Sequence, residues 1–146
     1  GVVMDDAQAE NALRLLGEFV RQTVEAYDAD PGRVYIGGFS QGAIMSECLA
    51  LTQPQLIAGA ILMSGRTLDL LRTRNLPAGA AYPPMIVTHG VTDTVLPVAE
   101  GRATRDFLGA LGVTFEYREY PMAHQISDTS LDDVDSWLTG QLDRTI

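Results

Sequence analysis

The chain has 146 residues, 46% of them hydrophobic, which suits one hydrophobic core and is too few for two ordinary domains, so we predict a single domain over residues 1–146. Its formal net charge of -9 argues against nucleic acid or an anionic membrane surface as a partner and favours a small-molecule ligand. A single cysteine, Cys48, excludes an internal disulfide and fits a reducing compartment. With no run apolar enough to span a membrane and no N-terminal signal pattern, we expect a soluble, cytoplasmic protein.

The first half of the chain alternates helix and strand patterns. Apolar residues spaced three and four apart predict a helix over residues 5–28, with Asp5 at its cap. A strand is predicted over Val34–Gly37 and a second helix over 41–51. The almost wholly apolar run 56–63 is predicted as a central parallel strand buried on both faces. The side of the first helix that is expected to face the core carries Ala9, Leu13, Leu16, Val20, Val24 and Tyr27.

The second half continues the alternation. After a possible helical turn around 68–72, a third strand is predicted over 85–88, a helix over 98–111 and a fourth strand over 113–120. Ser127–Ser130 supplies cap candidates for a last helix. The inner side of the helix over 98–111 is predicted to carry Ala99, Ala103, Phe107, Leu108 and Leu111. Strands alternating with helices predict a mainly parallel sheet covered on both faces, a three-layer α/β/α sandwich.

One stretch has the pattern of a nucleophile elbow. Gly38, Ser40 and Gly42 fit G-x-S-x-G, with a predicted strand before them and a predicted helix after them. On so sharp a turn, small residues two before and two after the serine are expected to avoid a Cβ clash between strand and helix. The alternative is an ordinary glycine-rich turn, so the partners of Ser40 must decide between the two interpretations.

A nucleophilic serine needs a base and a carboxylate that orients the base. Ligands of open parallel sheets bind at the carboxyl ends of the strands, and Ser40, Asp93 and His124 each follow a predicted strand in the order typical of α/β-hydrolases. The chain has two histidines. We predict His124 as the base, and His89 as a strand-end histidine that hydrogen-bonds to nearby backbone.

The acid and the oxyanion donor are assigned by position. Asp93 is preferred because Asp69 follows a different strand, Asp106 lies on a helix face and Asp128 suits a helix cap. The backbone N–H of Gln41, at the start of the helix beside the nucleophile, is the expected first oxyanion donor.

These motifs together resemble one known family. Gly37–Gly42, His89-Gly90 followed by Asp93, Val95–Pro97 and Met122–His124 look like the phospholipase/carboxylesterase family of α/β-hydrolases, which includes acyl-protein thioesterases. Ala43 and Ala123 stand where that family often has glycine.

The resemblance implies a function and a site. It implies a serine hydrolase that cleaves carboxylic esters or thioesters through an acyl-enzyme, with Ser40 as nucleophile, His124 as base and Asp93 as acid. Leu96 and Met122 are expected to contact the substrate. The chemistry requires no metal ion and no cofactor.

The resemblance also implies missing parts. Members of the family begin with further strands, and the loop after an early strand supplies a second oxyanion N–H. We therefore expect about four of the usual eight strands here, with the outer edge of the nucleophile strand unpaired within this chain. An exposed strand edge favours association, so a homo-oligomer or a second chain could cover it.

Two alternatives stay open. One is a non-catalytic or assembly-dependent fragment that acts as a binding module. The other is a related α/β-hydrolase, such as a serine peptidase or a dienelactone hydrolase, although the latter typically has cysteine as its nucleophile and this chain has Ser40.

Overall fold

The computed structural model describes residues 5–144, which contain one four-stranded sheet. Its strands are β1 (Tyr35–Phe39), β2 (Gly59–Met63), β3 (Met85–Gly90) and β4 (Phe115–Tyr120). They are all parallel and lie side by side in the order β1-β2-β3-β4. The carboxyl ends of all four strands therefore meet at one edge, as the alternating pattern predicts.

Helices connect the strands and cover both faces of the sheet. They are α1 (Asp6–Ala26), α2 (Gln41–Thr52), α3 (Asp69–Thr73), α4 (Val98–Leu111) and α5 (Asp128–Arg144). Side chains from α1, α2, α3 and α4 share one core cluster with β2 and β3, whereas α5 packs Val134 and Trp137 against Ile86 on the opposite face. The fold is the predicted three-layer α/β/α sandwich with four strands.

Several predicted details are corrected by the structure. Tyr27 lies just beyond the end of α1 and is 81% exposed, because the helical spacing that would turn it inward stops at Ala26. On α4, Leu108 and Leu111 are buried as predicted. Ala99 is exposed, and Gly101 and Thr104 complete the buried side instead. The second strand begins at Gly59 because Pro54–Leu56 forms a 3₁₀ turn.

Other local predictions are confirmed. Asp5 caps α1 by accepting a hydrogen bond from the Gln8 N–H at 2.7 Å, and Ser127 accepts one from the Ser130 N–H at 3.2 Å at the start of α5. Cys48 is buried, and burial together with nearby carboxylates raises the pKa of its thiol to about 12, so it is an inert core residue. Within residues 5–144, no helix combines the length and apolarity needed to cross a bilayer.

The outer edge of β1 has no strand partner in the described part of the chain. Here α1 packs chiefly on α2, and it leaves an apolar groove of about 350 Å³ between itself and β1. Phe19 on the rim of this groove is 64% exposed. The unpaired edge agrees with the sequence expectation. It belongs to β1, the strand that leads directly into Ser40.

Candidate active site

Ser40 occupies the turn between β1 and α2 in a strained backbone conformation, with φ 59° and ψ -115°. Its N–H donates to the Met63 carbonyl at 2.8 Å, which fixes the turn on β2. A Cβ at Gly38 would lie 2.5 Å from the carbonyl carbon of Gly42, whereas a Cβ at Gly42 would meet no atom within 4 Å. The steric reason predicted for both glycines therefore holds at Gly38 and not at Gly42.

Three of the predicted site residues lie in one hydrogen-bonded row. His124 Nε2 is 3.0 Å from Ser40 Oγ, and His124 Nδ1 is 2.7 Å from Asp93 Oδ2. Because an ionised carboxylate can only accept, Nδ1 carries the hydrogen in this row, and the neutral imidazole then accepts the Ser40 hydroxyl at Nε2. This is the arrangement in which the ring can take the serine proton.

Asp93 is held ionised although it is buried. Burial by itself raises the pKa of this carboxyl, but the hydrogen bonds from His124 and from the backbone N–H groups of Leu96 and Val95 outweigh it, so the pKa lies below its usual value. Oδ1 accepts from the Val95 N–H at 2.9 Å and from the Leu96 N–H at 2.8 Å, which leaves Oδ2 for His124.

The loops that carry Asp93 and His124 are joined by backbone contacts. The Thr92 N–H donates to the Met122 carbonyl at 3.2 Å, and the Val91 N–H donates to the Tyr120 carbonyl at 2.9 Å. The ring of Phe39 packs on the His124 imidazole with 4.7 Å between ring centroids. These contacts orient the imidazole between the elbow and the acid loop.

The other predicted site residues occupy different positions. Gln41 is the first residue of α2, where backbone N–H groups have no partner within the helix, and it is next to Ser40. Leu96 contributes its backbone to the acid loop. Met122 is 5% exposed, and its carbonyl is used by Thr92. The substrate contacts expected of Leu96 and Met122 stay predictions.

The rival residues lie elsewhere. Among the described residues, Asp106 pairs with Arg105 at 2.9 Å, while Asp69 and Asp128 are the first residues of α3 and α5. His89 is 1% exposed, and its Nε2 is 2.7 Å from the Leu96 carbonyl, which is the predicted backbone hydrogen bond.

A buried polar cluster formed by Glu47, Thr67 and Thr104 was not predicted. Glu47 is 1% exposed and is joined to Thr67 at 2.9 Å, and Thr67 is joined to Thr104 of α4 at 2.8 Å. Burial raises the pKa of Glu47 to about 8, which the Thr67 hydrogen bond and the Arg72 charge only partly offset. The sequence feature that could have indicated this cluster is Glu47 itself, a single carboxylate within the otherwise mostly apolar sequence of α2.

Comparisons with known proteins agree on a family. A family model described as phospholipase/carboxylesterase matches residues 3–141. Carboxylesterase SOBER1 of Arabidopsis thaliana is 28% identical over 97% of this chain and 63% of its own length, and acyl-protein thioesterase 1 of Neurospora crassa is 34% identical over 75% of this chain and 46% of its own. The crystal structure of Arabidopsis SOBER1 superposes with a TM-score of 0.84 at 27% identity, over 97% of this chain and 68% of the other.

The match extends along almost the whole chain but not along the whole of its relatives. The chain spans between 42% and 63% of the length of the first curated relatives. The family model nevertheless covers the elbow, the acid loop and the His124 loop together. The chain therefore belongs to the phospholipase/carboxylesterase family of α/β-hydrolases.

Proposed function

We propose that this chain carries the site of a serine hydrolase that cleaves carboxylic esters or thioesters. The observation that carries the proposal is the row Ser40–His124–Asp93, with hydrogen-bonding distances of 3.0 and 2.7 Å. A further support is the set of relatives, which bear the names carboxylesterase and acyl-protein thioesterase. A peptidase or dienelactone hydrolase has no such support among these names.

In the proposed reaction Ser40 Oγ attacks the acyl carbon while His124 Nε2 takes the hydroxyl proton. Asp93 keeps the imidazole oriented and stabilises its protonated form. The Gln41 N–H, at the positive end of the α2 dipole, donates to the oxyanion. His124 then gives the proton to the leaving alcohol or thiol, which leaves an acyl-Ser40 ester. Water activated by His124 hydrolyses that ester and restores the free serine.

The assignment is tested by covalent labelling with a fluorophosphonate and by hydrolysis of a p-nitrophenyl ester. We expect labelling of the wild-type chain to be lost in Ser40→Ala and to fall by several orders of magnitude in His124→Ala. Ser136→Ala on the exposed side of α5 is the control and should label normally. Undiminished labelling of Ser40→Ala would show that the proposed nucleophile is wrong.

A second candidate is an assembly-dependent module, and the unpaired outer edge of β1 favours it. The family resemblance implies a second oxyanion donor besides the Gln41 N–H, and the loss of one such donor lowers the rate by about 100- to 1000-fold. Light scattering and labelling at the same series of concentrations separate the two candidates. Labelling that rises with the oligomer fraction supports assembly, and a rate per chain independent of concentration contradicts it.

The cytoplasmic location, the small-molecule substrate and the organisation of residues 1–146 as one partial domain belong to the same proposal. The single buried cysteine supports the cytoplasmic location. The net charge of -9 supports a small-molecule substrate over nucleic acid.

A further inference from the structure

His89 lies in β3 with its ring almost fully buried, at 1% exposure. Its Nε2 atom is 2.7 Å from the backbone carbonyl oxygen of Leu96. A carbonyl oxygen can only accept, so Nε2 must carry a hydrogen and donate it. The same Nε2 atom is 3.6 Å from Oδ2 of Asp93, the oxygen that binds His124.

The backbone of Leu96 is therefore held at both its N–H and its carbonyl. Its N–H donates to Asp93 Oδ1 at 2.8 Å, and its carbonyl accepts from His89 at 2.7 Å. The loop that carries the acid closes on its own carboxylate, and the imidazole ties that closed loop to the rigid centre of the sheet. A chain of hydrogen bonds thus links His89, through the backbone of Leu96, to the carboxylate that is bonded to His124.

The ring of His89 is fixed in turn by α4. A Cβ at Gly101 would lie 2.8 Å from His89 Cγ and Nδ1, so the helix backbone approaches the imidazole without a side chain between them. Next to the ring is a cavity of about 10 Å³ lined also by Glu47, Arg66 and Thr104, which is roughly the space of one water molecule. Besides His89 itself, the ionisable groups that line this cavity are Glu47 of α2 and Arg66 after β2, and Asp93 lies near the Nε2 atom of the His89 ring.

We propose that His89 is a positioning residue that holds the Asp93 loop in register with His124 through the Leu96 carbonyl, an inference that rests on the proposed function. A misplacement of about 1 Å at such a site lowers reactivity by about 100-fold. His89 touches neither Ser40 nor the acyl group in this role, so its loss should change the maximal rate rather than the affinity for the probe.

Three substitutions and one control test the inference. His89→Gln keeps a side-chain N–H donor that can reach the Leu96 carbonyl, whereas His89→Leu fills the space without a donor. Gly101→Ala leaves His89 in place but pushes on its ring. Gly109→Ala on the same helix is the control, since a Cβ there meets no atom within 4 Å. The concentration dependence of fluorophosphonate labelling gives the maximal rate and the half-saturating concentration separately.

We expect the maximal rate to fall about 10- to 100-fold in His89→Leu with the half-saturating concentration unchanged. His89→Gln should stay within about threefold of wild type, Gly101→Ala should lose rate, and Gly109→Ala should not. A His89→Leu variant that labels at the wild-type rate, or that changes only the half-saturating concentration, overturns the inference. Wild-type labelling of Ser40→Ala would instead overturn the proposed function.

A second measurement does not depend on reactivity. The chain has two histidines, so in every His89 variant the one imidazole is that of His124. Its Nδ1–H proton, bonded to Asp93 at 2.7 Å, should give a far-downfield resonance in ¹⁵N-histidine spectra of the wild type, His89→Gln and Gly109→Ala. We expect this resonance to shift or broaden in His89→Leu, and an unchanged resonance there contradicts the inference even if the chain does not react.

Discussion

Gly38 and Gly42 flank Ser40 symmetrically in sequence but not in space. A Cβ at Gly38 would lie 2.5 Å from the carbonyl carbon of Gly42, while a Cβ at Gly42 would have no neighbour within 4 Å. The elbow therefore requires a glycine where the strand ends, because the backbone of α2 crosses directly over that position. At position 42 none of the described residues would clash with a side-chain Cβ, so a glycine is not required there for steric reasons.

This difference predicts opposite effects for two alanine substitutions. Gly38→Ala forces the strand and the helix apart, so we expect it to lower the free energy of unfolding by about 1–3 kcal/mol and to displace Ser40. Gly42→Ala adds a better helix former to the first turn of α2 and should be neutral or slightly stabilising. Denaturant unfolding measures both, and equal destabilisation by the two would contradict this account of the elbow.

The strained backbone of Ser40 predicts a gain of stability when the site is destroyed. With φ 59° and ψ -115°, a residue with a Cβ is held in a conformation that costs about 1–3 kcal/mol and that glycine adopts freely. We expect Ser40→Gly to unfold at higher denaturant concentration than Ser40→Ala, although neither is labelled by a fluorophosphonate.

The control for this prediction is the same pair of changes at Ser136, inside α5 and exposed. There glycine should be less stable than alanine by about 1 kcal/mol, because it lowers helix propensity. If the glycine variant were less stable than the alanine variant at both positions, the backbone strain at Ser40 would have no measurable effect on the free energy of unfolding.

Asp93 should be essential to the reaction in a way that its sequence rivals are not. Asp93→Asn keeps the size of the side chain but presents an amide to His124, which favours the wrong tautomer for accepting the serine proton. We expect the maximal labelling rate to fall by about three to four orders of magnitude. Asp106→Asn is the matched control, because that carboxylate pairs with Arg105 on the exposed side of α4, and its labelling should not change.

The sequence predicts some parts of this site well because they are local. Ser40 sits in a contiguous strand–turn–helix pattern, and the proximity of Asp93 and His124 follows from the parallel order of β3 and β4. The environment of His89 is different. The sequence suggests a backbone hydrogen bond but not that the carbonyl belongs to Leu96, since that depends on how the loop closes on Asp93.

Hydrophobic patterning also fails where small or polar residues face inward. It assigned Ala99 to the inner side of α4, but Gly101 and Thr104 are buried because His89 and Thr67 lie against them. The positions of these partners are set by the sheet and by the segment after β2. The spacing of apolar residues along α4 alone does not reveal where His89 and Thr67 lie.

Glu47 predicts how stability should depend on pH. Its pKa is raised from 4.5 to about 8, chiefly by burial, so the folded chain keeps a proton that the unfolded chain loses above pH 4.5. The contribution of the protonated side chain is fully present below pH 4.5 and is lost as pH rises through about 8. Between these values the contribution of Glu47 to the free energy of unfolding should fall with pH, by roughly 3 kcal/mol at pH 7 relative to pH 4.5.

The change to test this is Glu47→Gln, which cannot ionise but whose amide oxygen can still accept the hydrogen bond from the Thr67 hydroxyl. Since Thr67 donates its hydroxyl hydrogen to residue 47, the Thr104 hydroxyl donates to Thr67 Oγ1 at 2.8 Å, and both buried hydrogen bonds stay in place in the variant. Urea unfolding at several pH values between 5 and 8 should show the wild type losing stability relative to Glu47→Gln as pH rises. Because both proteins share every other titrating group, their difference isolates Glu47. A difference that does not change with pH would mean that Glu47 is already ionised in the fold throughout this range.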